Sequence, residues 1–193
     1  MTTYDFYRQA RDASWQFLLE SGACTLPLPL SAICQKRDIT LMLDKNGGYL
    51  ADSDKGVTFK TPEGKFCILL NPADSIPVRR YTTAHELGHI YLKHPMQGGK
   101  YGRTFGIQKT ATQDPIEYQA ERFAINILAP ACVLYGLGLH TAEDIAQICG
   151  ISLSAARIRA ERLAVLYQRK SFFASPLERK VYEAFEDFIK ANR

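Results

Sequence analysis

The stretch from His85 to His89 restricts the fold of this chain more than any other part, because it contains the pattern H-E-x-x-H. Two histidines four residues apart lie on one face of an α-helix, about one turn (~6 Å) apart. Both imidazoles can then reach one zinc ion at about 2.0–2.1 Å. Glu86 lies on the flank of that face, where it can accept a proton from a water molecule at the metal. The pattern therefore predicts a helix that carries a metal site.

The residues around this pattern favour a packed helix. Leu87, Ile90 and Tyr91 recur at helical spacing and form an apolar stripe. Gly88 costs a helix interior about 1 kcal/mol relative to alanine, so its presence indicates that another part of the chain approaches the backbone there. The alternative interpretation of the two histidines is a structural pair inside a packed helix, which requires no metal.

A catalytic zinc site requires a third protein ligand and an open coordination position. In the metzincin pattern, glycine and histidine follow the second histidine after three and six residues, but this chain has Leu92 and Pro95 there. His94 comes five residues after His89, which on an ideal helix turns it about 140° away. We therefore expect His94 to support the site rather than to bind the metal.

Carboxylates on a second predicted helix are the remaining candidates. Asp114 is a favoured N-cap residue, Pro115 a favoured first residue, and Pro130 ends the helix. Glu117 and Glu121 are four residues apart on one face, and either would complete a set of two histidines and one glutamate. Glu117 can instead close a capping box, and Glu121 can pair with an arginine, so the spacing alone does not choose between them.

The two motifs together resemble those of the ImmA/IrrE family of zinc metallo-endopeptidases. The first is Ala84-His-Glu-Leu-Gly-His89, and the second is Glu117-x-x-Ala120-x-x-Phe123-Ala124-x-x-x-Leu128-x-Pro130. The resemblance implies a gluzincin-like site in which His85, His89 and Glu117 bind one Zn²⁺ per chain. It also implies that Glu86 is the catalytic residue that activates water.

One position departs from that family. Glu121 stands where the family usually has asparagine, which adds a second carboxylate beside the implied metal ligands. An oxyanion donor is also expected in such a site. The candidates are His94, Tyr118, Tyr101 and Arg79, and the sequence does not choose among them.

The resemblance implies hydrolysis of a peptide bond in one specific protein partner. In the family this is typically a helix-turn-helix repressor whose cleavage releases stress-response or mobile-element genes. The alternative is a non-catalytic, zinc-stabilised regulatory module that binds a repressor or DNA, and a third possibility is a scaffold that takes up metal weakly. Substitution of Glu86 separates the first two, because an enzyme loses turnover and a binding module does not.

The chain as a whole predicts an α+β fold, with a small antiparallel β-sheet packed on the zincin-type pair of helices and an all-helical part behind it. Hydrophobic periodicity, turn residues and helix caps mark the elements. We expect a peptidase core with an N-terminal helix in residues 1–130 and a helical bundle in residues 131–193. Predicted helices cover residues 3–20, 31–36, 78–94, 115–129, 141–149, 152–167 and 176–192, predicted strands cover 38–43, 49–51, 57–60 and 66–70, and 97–103 is a predicted glycine-rich loop.

Two of the C-terminal helices resemble a helix-turn-helix pair, since Gly150 follows Ala146 at the spacing of such a turn. Arg157, Arg159 and Arg162 on the second helix could meet phosphates. A DNA-binding helix would usually keep larger apolar residues where this chain has Ala156 and Arg159. We therefore expect a bundle packed on the core, with protein recognition favoured over nucleic-acid binding.

Composition limits the remaining function classes. The net charge of +4 does not require a nucleic-acid partner. The five cysteines are scattered and include no C-x-x-C pair, which is typical of a reduced cytoplasmic protein. No apolar run approaches the roughly 20 residues of a membrane span, so we expect no membrane association.

Overall fold

The computed structural model describes residues 2–51, 53–96, 100–104 and 114–193, and these residues form an α+β fold. Its helices are α1 (Thr3–Ser21), α2 (Leu30–Lys36), α3 (Ile76–Tyr91), α4 (Pro115–Leu128), α5 (Ala131–Gly136), α6 (Ala142–Cys149), α7 (Leu153–Arg169), α8 (Pro176–Ala184) and α9 (Glu186–Asn192). Its strands are β1 (Thr40–Leu43), β2 (Asp54–Lys60), β3 (Phe66–Leu70) and β4 (Lys100–Thr104).

Local sequence signals set most helix ends. Thr2 and Asp5 form a capping box at the start of α1, and Gly22 ends that helix in the left-handed region at φ 65°. The side chain of Asp114 accepts a hydrogen bond from the backbone N–H of Glu117 at the start of α4. Gly150, at φ 62°, ends α6 as the sequence predicts.

The described sheet has the strand order β1-β3-β2-β4 and is mixed, so the prediction of an antiparallel sheet is wrong for β1. Strand β1 runs parallel to β3, whereas β2 is antiparallel to both β3 and β4. The predicted strand at 49–51 is also absent from the structure. The N–H groups of Tyr49 and Leu50 donate to the carboxylate of Asp44 at 3.2 and 3.1 Å. This loop reverses the chain without pairing β1 to β2, so β3 fits between them.

The prediction of a loop at 97–103 is wrong for residues 100–103, because residues 100–104 form β4, which pairs with β2. Residues 97–99 lie outside the described part of the chain. The backbone of β4 supplies hydrogen-bond partners for the backbone of β2. The glycines of residues 97–103 suggest a loop and do not reveal this pairing.

Helix α3 lies between the sheet and α4, and the glycine in its centre allows a close approach. A Cβ atom at Gly88 would lie 3.2 Å from the Cα of Ala120 on α4 and 3.1 Å from the ring of Phe123. Phe17 of α1 packs edge-on against Phe123 and Tyr91, with ring centroids 5.3 and 5.4 Å apart. The approach expected from the sequence at Gly88 is therefore confirmed.

The C-terminal helices depart from prediction in two places. Helix α5, which begins directly after Pro130, was not predicted, and the single helix predicted for 176–192 is interrupted at Phe185 (φ −100°, ψ 5°). Phe185 is fully buried there. The resulting bend lets α8 and α9 close on α5, where a Cβ at Gly136 would lie 2.7 Å from Tyr182 and 2.8 Å from Ile189.

Helices α6 and α7, for which the sequence predicts a helix-turn-helix-like pair, are packed on the core through the turn between them. The Arg80 side chain of α3 donates to the carbonyl oxygens of Gly150 and Leu28 at 3.1 and 3.0 Å. Arg159 of α7 donates through Nε to the carbonyl oxygen of Ala129 at 2.8 Å. The division into a peptidase core of residues 1–130 and a helical bundle of residues 131–193 stays a prediction.

Candidate metal centre

Helix α3 carries His85, Glu86 and His89, and all three side chains are buried. In the described part of the chain, no helix is long and apolar enough to cross a membrane. Because they are buried, the polar side chains of α3 have to be satisfied by polar groups within the protein or by a bound ion.

His85, His89 and Glu117 meet at one point. The Nε2 atoms of the two histidines are 3.0 Å apart. The carboxylate oxygens of Glu117 lie 3.2 Å from Nε2 of His85 and 3.3 Å from Nε2 of His89. These side chains form the group of possible metal ligands found among the described residues.

The separations fit a tetrahedral metal site. Ligand atoms about 2.0–2.1 Å from a zinc ion at tetrahedral angles lie about 3.3 Å from one another, close to the separations of 3.0–3.3 Å between these atoms. Two imidazole nitrogens and one carboxylate are also a donor set that zinc accepts with one position left open. The residues present therefore fit the metal that the sequence predicts.

Glu117 is the third residue of α4, in the first turn of the helix, and has a double role there. Its backbone N–H donates to Asp114 at 3.2 Å and so takes part in the helix cap, while its carboxylate faces the two histidines. Burial raises the pKa of Glu117, but the hydrogen bonds with His85 and His89 outweigh it and hold the pKa well below its usual range. The carboxylate is therefore ionised at neutral pH.

His94 lies behind His89 instead of on the face of the helix. Helix α3 ends at Tyr91, and Lys93 adopts φ 56°, in the left-handed region. The chain thereby turns back, and Nδ1 of His94 lies 3.0 Å from Nδ1 of His89. Extrapolating an ideal helix to position 94 could not show this contact, although His94 was expected to support the site.

Two glutamines that the sequence analysis did not identify extend the series of polar contacts from His94. Nε2 of His94 lies 3.3 Å from Oε1 of Gln119 on α4, and Gln119 donates to Oε1 of Gln9 on α1 at 3.0 Å. Burial, followed by the charge of His89, lowers the pKa of His94 to about 4, so this imidazole is neutral near pH 7. No local pattern marks these glutamines, because the chain of contacts joins three helices.

Glu121 and the candidate oxyanion donors other than His94 are not part of the group of three possible ligands. Glu121 lines a pocket between α3, α4 and α7. The ring of Tyr118 lies 5.0 Å from the guanidinium carbon of Arg122. Arg79 lines a groove beside β1, and the side chain of Tyr101 lies outside the described residues.

Comparison with known families locates the same region. The model of a peptidase family described as the IrrE N-terminal-like domain matches residues 34–161. The matched segment runs from the end of α2 into α7 and contains all three candidate ligands and Glu86. A search of curated proteins found no match.

Proposed function

Since this chain belongs to the peptidase family of IrrE N-terminal-like domains, we propose that it is a zinc-dependent endopeptidase. The observation that carries the proposal is the convergence of His85, His89 and Glu117, whose ligand atoms lie 3.0–3.3 Å apart. Glu86 lies fully buried beside them on α3. Family membership supports a peptidase, and the donor set supports zinc.

Each residue of the centre has a distinct part in the reaction. Zinc, when bound by the three ligands, would polarise a peptide carbonyl and make a water molecule more acidic. Glu86 takes the proton of that water during attack and delivers it to the leaving nitrogen. His94, held by Gln119, fixes the ring of His89 so that Nε2 faces the other ligands.

We propose a protein substrate, and specifically a helix-turn-helix repressor, because the motifs of α3 and α4 resemble those of a family that cleaves such proteins. Strand β4 pairs with β2 and forms one edge of the described sheet, and an extended peptide can add to the outer side of β4 by backbone hydrogen bonds. The peptide would then run on the side of the sheet where α3 packs against β2 and β4.

The metal content of the purified protein tests the site. We expect about one zinc per chain in the wild type, loss of zinc in Glu117→Ala and retention in Glu121→Ala, because the carboxylate of Glu117 meets the histidines. Retention of zinc in Glu117→Ala would move the third ligand elsewhere. Absence of metal after zinc is supplied would overturn the proposed function and leave a metal-free interaction module.

A further inference from the structure

A pocket of about 210 Å³ lies between α3, α4 and the start of α7. Its apolar lining residues include Val78, Ile125 and Ile158. Its charged lining residues include Arg122, Arg159 and Arg162, and Glu121 is the carboxylate that lines the pocket. These four charged groups leave an excess of positive charge on a half-apolar cavity.

Among the three arginines that line the pocket, Arg159 is buried, with 4% of its surface exposed. Its Nε is bound to the carbonyl oxygen of Ala129, and its Nη2 is buried without a hydrogen-bond partner among the described residues. Within that part of the chain, no carboxylate forms an ion pair with it. A buried guanidinium with an unmatched donor is costly unless an acceptor arrives.

The charges near Arg159 do not satisfy it. Glu178 is buried close by, but its carboxylate accepts from the backbone N–H of Ala174 at 3.0 Å. Burial lowers the pKa of Arg159 to about 10, and the charge of Arg162 acts in the same direction. Arg159 therefore stays charged at neutral pH and lies beside a second cation.

One other feature of the pocket favours an anion. Ser152 and Ser154, which line it, belong to the N-terminus of α7, a helix of 17 residues, and the partial positive charge of a helix N-terminus attracts anions. Lys55 also lines the pocket, but its ammonium group is paired with Asp74 at 2.7 Å. The excess positive charge thus comes from the arginines and the helix end.

The pocket begins one helical turn from the candidate metal ligands on both helices. Tyr81 precedes His85 by four residues on α3, and Glu121 follows Glu117 by four residues on α4; both line the pocket. Four residues of a helix rise about 6 Å, a distance that an extended peptide covers in about two residues. A side chain next to a bond cut at the metal centre can therefore enter this pocket.

We propose that this pocket is a specificity subsite that binds the carboxylate of an aspartate or glutamate within about two residues of the scissile bond. The proposal rests on the proposed function, because it places the pocket beside a bond that this chain cleaves. Arg122, Arg159 and Arg162 together receive the carboxylate, and the apolar lining residues pack on the methylene groups of the acidic side chain.

Binding can be measured without turnover in zinc-loaded Glu86→Gln protein. The probes are matched pairs of short fluorescent peptides that differ only by Glu or Gln at one scanned position. We expect one position at which the Glu peptide binds about tenfold more tightly, the size of one charge-assisted hydrogen bond. Arg122→Gln and Arg162→Gln should abolish this preference.

Arg157→Gln is the matched control, because Arg157 is an exposed arginine on the same helix and does not line the pocket. It should keep the preference. Arg159→Lys is included with a thermal unfolding scan, since it keeps the charge and loses the planar fork of donors. A folded Arg159→Lys protein should show a weaker preference.

Three results would overturn the assignment: equal binding of Glu and Gln peptides at every position, loss of the preference in Arg157→Gln, or its retention in Arg122→Gln and Arg162→Gln. Inorganic phosphate provides a second arm. If phosphate stabilises the protein through the same arginines while acidic peptides have no advantage, the pocket binds a free anion and not a substrate side chain. Failure of the peptidase function would appear separately, as absence of cleavage by wild-type protein of peptides that bind.

Discussion

The candidate metal centre lies about one helical turn along α3 and α4 from the arginine pocket, the cavity lined by Arg122, Arg159 and Arg162. The charges of the two regions are arranged in opposite ways. At the centre, the ionised carboxylate of Glu117 and two imidazoles converge within 3.3 Å, which leaves room for one cation. In the pocket, three arginines face one glutamate, which favours an anion. If both proposals hold, one pair of helices binds a metal ion and orients a substrate of defined charge.

The largest effect that separates the two regions is expected at Glu86. Glu86→Gln keeps the volume of the side chain but cannot accept a proton, so cleavage should fall by about 10²–10⁴-fold while zinc content stays unchanged. The measurement is turnover of a peptide or repressor substrate beside metal analysis. Glu183→Gln is the control, because Glu183 is an exposed glutamate on α8. It should match the wild type in both turnover and zinc content. Unchanged cleavage in Glu86→Gln would favour a mechanism without this base.

A smaller effect is expected behind the centre, at His94. His94→Phe keeps a ring but removes the contact with His89 and with Gln119. Loss of such a supporting hydrogen bond typically weakens metal binding about 10–100-fold. Competition with a zinc chelator measures it, and His140→Phe is the control because His140 is exposed and stacks on Tyr167 instead. Equal zinc affinity in both variants would show that His94 only fills space.

Both regions depend on the close packing of α3 against α4, and Gly88→Ala tests that packing. The added Cβ would meet the Cα of Ala120 at 3.2 Å, and backbone atoms cannot move aside as a flexible side chain can. Overpacking typically costs about 1–3 kcal/mol, against about 1 kcal/mol gained from helix propensity. We expect a net loss of unfolding free energy in urea. Gly48→Ala is the control, because a Cβ there meets nothing within 4 Å.

The two regions also differ in how far the sequence reveals them. The candidate ligands His85 and His89 follow from helical spacing, and the cap at Asp114 and the stop at Pro130 fix the helix that carries Glu117. The choice of Glu117 over Glu121 needed the family resemblance, because spacing alone left both open. These features depend on contacts within a few turns of one helix.

The rest depends on contacts between distant segments, which local patterns do not encode. His94 reaches His89 only because Lys93 turns the chain back, and Gln119 and Gln9 join it from other helices. The parallel pairing of β1 depends on the loop that Asp44 closes. The arginine pocket likewise exists only where α7 packs beside α3 and α4.

The smallest predicted effect concerns the buried carboxylate beside Arg159. Burial raises the pKa of Glu178, although Arg11 and Arg159 act to lower it. An acid with a raised folded-state pKa stabilises the fold less as pH rises from the unfolded value of 4.5 through the folded value. The unfolding free energy of wild type relative to Glu178→Gln should therefore fall across that interval. A rise instead would mean that Arg159 pairs with Glu178 in solution, and the arginine pocket would then lose its excess charge.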